Sequence, residues 1–483
     1  MNKQVDVVIV GAGISGIGLA VHLLKQCPDF SFEIFESRST FGGTWDLFKY
    51  PGIRSDSDMM TFGYSFKPWN KPNTLADAAS IKQYLNEVII DYDLDSKINY
   101  RHKVKSANYL KNIKKWSVEI EDENQQIIKI FANFFVACTG YYDYKSGYFP
   151  NFTNIQQFSG ELIHPQHWPE NLNYVDKKIV VIGSGATAIT LVPALVKGGA
   201  SHVTMLQRSP TYIASIPSKD MLYIRLRKYF SDELAYKIIR SKNILLQQLL
   251  YLFAQKQPNW LRKILINSIK KQLDNKVSIE HFSPDYNPWE QRLCAVPDGD
   301  LFTVLNSDQA EIITGKIETF TEKGILLKNN QTLDADIVIS ATGLNIQILG
   351  GIELSIDDQP IHLKNHMLYK GVLLSDVPNM AIMMGYINAS WTLKVDIASK
   401  YLCNLMRYMK NNNLSEVIPL GESDQKLSDT VMGKLNSGYI NRAANILPKQ
   451  GKSMPWYVSN NYFYDRKILK KCCFKDGILQ FKE

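Results

Sequence analysis

The feature that most constrains this chain is a pair of glycine-rich turns set 172 residues apart and alike in what precedes and follows them. Near the start, Val5-Asp6-Val7-Val8-Ile9-Val10 runs into Gly11-Ala12-Gly13-Ile14-Ser15-Gly16, and an apolar helical pattern continues from Ile17 to Leu24. Further on, Ile179-Val180-Val181-Ile182 runs into Gly183-Ser184-Gly185-Ala186-Thr187-Ala188 in the same way. A β-branched strand that enters such a turn and leaves it as a helix predicts a Rossmann-type phosphate-binding unit. Its first glycine permits the tight turn, its second lets a pyrophosphate approach the backbone, and its third lets helix and strand pack closely. The helix N-terminus adds amide donors and a positive dipole end. Both apolar runs are long enough to resemble membrane spans. The early glycines in each, and Pro193 in the second, read instead as strand, turn and helix.

The residue that reads the ribose distinguishes the two units. Phe30-Ser31-Phe32-Glu33-Ile34-Phe35 predicts a second strand ending on Glu36, twenty residues after Gly16. A carboxylate there accepts hydrogen bonds from free ribose hydroxyls and would repel a 2′-phosphate. The matched position of the second unit, at the end of His202-Val203-Thr204-Met205-Leu206-Gln207, is Arg208. A guanidinium attracts a 2′-phosphate through charge-assisted bonds. The first unit is therefore expected to bind FAD through Gly11, Gly13, Ser15, Gly16 and Glu36. The second is expected to bind NADPH through Gly183, Gly185, Thr187, Ala188, Gln207 and Arg208.

Composition narrows the class. At 483 residues with 45% hydrophobic and 21% charged side chains, the chain has ordinary globular proportions, which excludes fibrous and disordered classes. Its length suggests two to four domains. None of its six cysteines forms a CxxC pair, which excludes a dithiol flavoenzyme, and no metal centre is expected. No signal peptide precedes the first strand, so the protein is expected to be cytoplasmic with reduced thiols. The net charge of +8 is concentrated: residues 221–276 hold twelve basic and three acidic side chains, a net +9 that leaves −1 for the rest. That distribution argues against a nucleic-acid binder. Within this segment, Leu245, Leu246, Leu249, Leu250 and Phe253, then Leu261, Ile264 and Leu265, recur at helical spacing. Two readings stay open. In the first, favoured one, the insertion packs its apolar face over the active site; in the second, it docks peripherally on the inner face of an anionic membrane.

Between the turns, Phe158-Ser159-Gly160-Glu161-Leu162-Ile163-His164-Pro165-Gln166-His167-Trp168-Pro169 fits FxGxxxHxxxWP at every fixed position. This resembles the fingerprint of the Baeyer–Villiger monooxygenases. Related flavin monooxygenases that oxidise amines and sulfides carry Tyr where Trp168 stands and lack Pro169. Gly42-Gly43-Thr44-Trp45-Asp46 is similar to the family segment covering the flavin, and Tyr50-Pro51-Gly52-Ile53-Arg54-Ser55-Asp56 resembles its YPGxRxD loop. Cys138-Thr139-Gly140 and Ala341-Thr342-Gly343 resemble the outgoing and returning linkers, and Val104 the residue whose backbone meets the FAD adenine. The stretches 62–66, 281–305 (with Asn287-Pro288-Trp289-Glu290-Gln291-Arg292) and 385–392 resemble the branch of ethionamide-activating mycobacterial monooxygenases.

The resemblance implies an α/β fold of two Rossmann-like dinucleotide-binding domains, for FAD and NADPH, with a helical insertion (219–276) in the NADPH domain. Implied limits are 1–145 and 341–460 for the FAD domain, 146–340 for the NADPH domain and 461–483 for a C-terminal tail, read as solvated. Thr44, Trp45, Asp46, Asp56 and Val104 join the cofactor-binding set. Arg292 is implied as the catalytic arginine, whose permanent charge supports the oxygen chemistry, and Asp56 as the carboxylate that orients it and the nicotinamide. Phe158, Gly160, His164, Trp168 and Pro169 are implied to position the domains. The expected reaction is NADPH- and dioxygen-dependent insertion of oxygen into a small lipophilic ketone, giving an ester or lactone, with thioether oxidation as a second activity. Two alternatives stand beside it. Trp168-Pro169 weighs against an amine- or sulfide-oxygenating flavin monooxygenase, and Arg292 with Asp56 weighs against a sensor that binds both nucleotides without turnover.

Overall fold

The computed structural model describes residues 3–291, 293–433, 435–471 and 473–483. Strand Lys3–Val10 lies inside an 11-stranded sheet, parallel to Phe32–Phe35 on one side and to Ile127–Ala137 on the other. Both its faces are covered, which is why it reads as a continuous apolar run rather than an alternating one. Val7 and Ile9 share a core with Leu19 of helix Ile14–Gln26 and Leu402 of helix Trp391–Asn411; Val8 and Val10 share another with Trp116 and Phe135. Full burial of each such side chain contributes about 1.5–3 kcal/mol. The antiparallel strands Lys103–Leu110 and Lys115–Glu121 extend the sheet beyond Ile127–Ala137. Glu353–Ile356 and Met380–Ile382 then join it, so the chain returns to its first sheet after building a second.

The second sheet is wholly parallel, in the order Ala310–Thr314, His202–Gln207, Lys178–Ile182, Ile337–Ser340, Glu161–Ile163. The two glycine turns bond alike. The Gly11 amide donates to the Phe35 carbonyl and the Gly183 amide to the Leu206 carbonyl, each at 2.8 Å. Both glycines hold positive φ, 103° and 141°. A Cβ on Gly11 would lie 2.8 Å from the Cys138 carbonyl oxygen, and one on Gly183 2.4 Å from that of Ala341. Each turn thus abuts the head of one linker, so the likeness of the two units extends to the strand beside each. Both apolar runs are strand–turn–helix units, and no described helix is long and apolar enough to cross a membrane.

The insertion forms helices Met221–Leu226, Asp232–Lys256 and Pro258–Lys270. Its long helix corrects the favoured reading of the sequence. Leu245, Leu246, Leu249 and Leu250 are exposed, and the buried side carries Ala235, Tyr236, Ile239, Ile244 and Gln248. Polar groups select that side. Arg240 Nη1 donates to the carbonyls of Met60, Thr61 and Gly63, while Asn243 Nδ2 donates to Asp58 Oδ2, the N-cap of helix Met59–Phe62. The short helix leaves carbonyls without intrahelical partners at its C-terminal end, and the guanidinium satisfies them.

A second correction concerns the C-terminal segment. Residues 461–483 are not a solvated tail: helix Tyr462–Lys470 buries Leu469, and Phe474 and Leu479 lie in the first core. Strand Leu479–Lys482 pairs antiparallel with Glu416–Pro419. Of the neighbouring cysteines there, Cys473 is exposed and Cys472 lies outside the described residues.

Candidate functional site

A cavity of about 530 Å³ opens between the first glycine turn and the start of helix Ala186–Lys197. Gly11, Gly13 and Ser15 line it at the start of helix Ile14–Gln26, whose N-cap, Gly13, offers no side-chain cap. The first-turn amides are therefore free to meet an anion. Main chain alone builds this part of the wall: a Cβ on Gly43 would stand 3.2 Å from the Gly13 Cα. Gly16 lies beneath, where a Cβ would fall 1.9 Å from the Gly11 carbonyl oxygen. Ser15 accepts a 2.8 Å hydrogen bond from Trp391 Nε1, and both residues border the cavity.

At one end stand Glu36, Lys103 and Val104. Glu36 is 5% exposed; its Oε2 accepts from the Ala12 amide (2.8 Å) and its Oε1 from the Arg38 amide (2.9 Å). Burial pushes its pKa up, against the pull of those backbone bonds. The carboxylate is thus oriented by the glycine turn itself.

Thr44 and Trp45 also line the cavity, whereas Asp46 turns away beneath it. Asp46 is 3% exposed and pairs with Arg38, Lys82 and Lys49. Burial raises its pKa, but the hydrogen bond from Lys82 and the charges of Arg38, Lys82 and Lys49 hold it below the usual aspartate range. The stability it contributes is present above the unfolded value of about 3.9 and is lost as pH falls through the lower folded value. Asp46→Asn is therefore expected to flatten the acid limb of a plot of melting temperature against pH below about pH 4. Identical acid limbs in the two proteins would contradict this.

The Tyr50–Asp56 segment reaches from the first unit to the second. At Gly52, with φ 76°, a Cβ would meet the Thr190 carbonyl oxygen at 2.9 Å on helix Ala186–Lys197. Tyr50 hydrogen-bonds Thr187, and burial pushes its phenol up to about 12, so it stays protonated on the cavity wall. Asp56 lines the cavity and is exposed. Arg54, which the sequence reading did not single out, pairs with Asp300 through Nη1 (2.6 Å) and Nη2 (3.3 Å). Its buried Nε has no partner among the described residues, a donor that a bound anionic group would satisfy. The YPGxRxD loop and the stretch 281–305 held the two residues, but nothing in the sequence joined them.

Arg292 lies outside the described residues. In the second unit, Thr187 reaches the cavity, Ala188 is buried in helix Ala186–Lys197, and Gly183 and Gly185 stand outside the cavity lining. Gly185 caps that helix without a side-chain bond, and the space where its Cβ would stand is open. Arg208 is exposed and forms no ion pair among the described residues. Gln207 turns inward, its Nε2 donating to the His281 carbonyl (2.7 Å) and Thr314 Oγ1 (2.9 Å). That amide braces the sheet edge rather than facing a nucleotide.

Of the fingerprint residues, His164 stands beside the two linkers, whereas Phe158, Gly160 and Trp168 pack elsewhere in the second unit. His164 Nε2 donates to the Gly343 carbonyl (3.1 Å), and its Nδ1 accepts from the Gln166 amide (3.2 Å). Burial holds its pKa below the usual imidazole range, so the neutral ring fits this pattern at neutral pH. Gln166 Nε2 donates to the Asp143 carbonyl (2.7 Å), tying the outgoing strand Tyr142–Gly147 into the same knot. Phe158 packs against Phe320, and at Gly160 a Cβ would strike the Asp336 carbonyl oxygen at 2.4 Å. Trp168 shares a core with Leu47 and Ile53, and Pro169 is exposed.

Residues 3–418 match the flavin-binding monooxygenase-like family. The chain is 61% identical over 481 residues to a protein of Acinetobacter baylyi named probable FAD-binding monooxygenase AlmA, with 100% of this chain and 97% of that one covered. It is 45% identical over 482 residues to the FAD-containing monooxygenase EthA of Mycobacterium tuberculosis, covering 100% of this chain and 98% of that protein. Among solved structures it resembles cyclohexanone monooxygenase from Rhodococcus sp. Phi1 bound to NADP+, with a TM-score of 0.79 and 100% of both chains covered. At 20% identity that likeness is one of fold.

Proposed function

This chain belongs to the flavin-binding monooxygenase-like family, and from that premise we propose that it is a Baeyer–Villiger monooxygenase that converts small lipophilic ketones to esters or lactones, with thioether oxidation as a second activity. It is an FAD-dependent oxidoreductase that uses NADP(H). The observation that carries the reading is the position of the fingerprint: His164 holds the returning linker at Gly343, and Trp168 packs against the same core as Ile53 of the cavity loop. On this reading the first unit comprises 1–145 with 341–460, to whose core Phe474 and Leu479 add, and the second comprises 146–340 with its helical insertion.

Bound flavin, reduced by NADPH, supplies the oxygen-activating chemistry. The chain's own residues do the rest. The amides after Gly13 hold the pyrophosphate, and Glu36 accepts hydrogen bonds from the ribose hydroxyls. Arg208 holds the 2′-phosphate of NADPH at the second turn. Tyr50, Phe62 and Trp391 on the cavity wall would exclude water from the bound flavin. Arg292 would supply a permanent positive charge beside the substrate carbonyl, and Asp56 would orient that guanidinium. The reading places the enzyme in the cytoplasm, where NADPH is supplied and thiols stay reduced.

Gas-chromatographic analysis over a panel of linear, cyclic and aromatic ketones and of thioethers tests this. Esters or lactones formed in step with NADPH consumption are the expected result. Amine or sulfide oxides with no ester from any ketone would assign the protein to the amine- and sulfide-oxygenating monooxygenases, and nucleotide binding without turnover would assign it a sensing role.

A further inference from the structure

The long helix of the insertion is amphipathic in an inverted order: Arg240, Asn243 and Gln247 grip the protein body and its leucines are left outside, whereas Leu261 and Leu265 of the next helix are buried. More than half of the large apolar side chains exposed among the described residues lie between residues 221 and 264. On helix Asp232–Lys256, Leu234, Ile238, Leu245, Leu249 and Leu252 follow one another by three, four or seven residues, which places them on one stripe along the helix. They are 39–53% exposed. Trp260 (64%) and Ile264 (47%) continue the apolar surface on helix Pro258–Lys270, and Tyr229 (81%) stands before the long helix. Exposed apolar side chains concentrated in one segment in this way mark an interaction site.

The same residues hold the chain's positive charge. Arg225, Lys228, Lys256, Lys263 and Lys270 are exposed and form no ion pair among the described residues. We propose that this face docks on an anionic phospholipid bilayer, lying in the headgroup plane with the leucine stripe and Trp260 in the acyl boundary and the lysines against lipid phosphates. The contact is peripheral, since no described helix is long and apolar enough to cross a membrane. A second copy of the chain fits less well, because a self-complementary contact sets the same cations against one another.

The docking face lies one helix away from the cavity. On its inner side Arg240 and Gln247 hold residues 60–63, and Ile244 packs with Tyr386; Phe62 and Tyr386 both line the cavity. A docked enzyme would present that wall to the phase in which lipophilic substrates dissolve. This link to substrate rests on the proposed function, whereas the docking does not.

The test is co-sedimentation of the holoenzyme with phosphatidylcholine vesicles, with and without about 30% phosphatidylglycerol. Binding to the anionic vesicles alone, reversed by high salt, is the expected result. Lys256→Gln/Lys263→Gln/Lys270→Gln is expected to weaken binding about a hundredfold, and Leu245→Glu/Leu249→Glu/Leu252→Glu to weaken it at least about tenfold. Both variants should keep their flavin and their turnover of a water-soluble substrate. No sedimentation with either vesicle overturns the proposal, as does equal binding to both. A stable dimer without vesicles that the leucine variant dissolves also overturns it, in favour of a second copy. An enzyme inactive on every ketone that still binds anionic vesicles sinks the proposed reaction and leaves the docking intact.

Discussion

Arg208→Glu is expected to raise KM for NADPH about a hundredfold while leaving that for NADH within a few-fold. The size follows from two losses at one position. Charge-assisted hydrogen bonds to a 2′-phosphate are worth about 1.5–3 kcal/mol, and a carboxylate in their place adds repulsion between like charges. Arg208 follows strand His202–Gln207 as Glu36 follows Phe32–Phe35, is exposed, and has no carboxylate partner among the described residues. Nothing in the fold is expected to need it, so the variant should melt with the wild type. Steady-state kinetics with each nucleotide is the readout. A variant that still prefers NADPH by the wild-type ratio would show that another residue reads the phosphate.

Arg292→Ala is expected to lower ester formation by about 10²–10³ while NADPH oxidation continues, its electrons ending as hydrogen peroxide. Arginine keeps its charge at every working pH, and its planar fork places two donors on one anion; Arg292→Lys should therefore restore only part of the lost rate. Among the described residues Arg54 lines the cavity wall, with its two terminal nitrogens engaged by Asp300. It ties the loop of one unit to a helix of the other. Product and peroxide measured together are decisive. Ester formation within tenfold of wild type, with no added peroxide, would remove Arg292 from the mechanism.

The twin turns were legible because their signal is local. A strand, a glycine with positive φ and a helix follow one another within about twenty residues, and the ribose-reading residue stands at a fixed distance beyond. The buried face of the insertion was not legible for the opposite reason. Apolar spacing pointed to Leu245, Leu246, Leu249 and Leu250, but Arg240 and Asn243 took the inside because the distant helix Met59–Phe62 needed partners at both ends. The C-terminal segment reads as a basic tail until Leu479–Lys482 finds its strand partner Glu416–Pro419. Arg54 and Asp300 likewise meet only through the fold. Gln207 shows how a correct local pattern can still mislead: it precedes Arg208 at a strand end, yet its amide turns to His281 and Thr314.

Electrons are expected to pass from a pyridine nucleotide at the second glycine turn to a flavin held at the first. Anaerobic addition of NADPH to the purified protein, followed by its visible absorbance, tests that claim most directly. A yellow protein whose flavin bleaches with one equivalent of NADPH, and recovers when air is admitted, is the predicted result. A colourless protein that takes up no FAD on reconstitution would contradict the account.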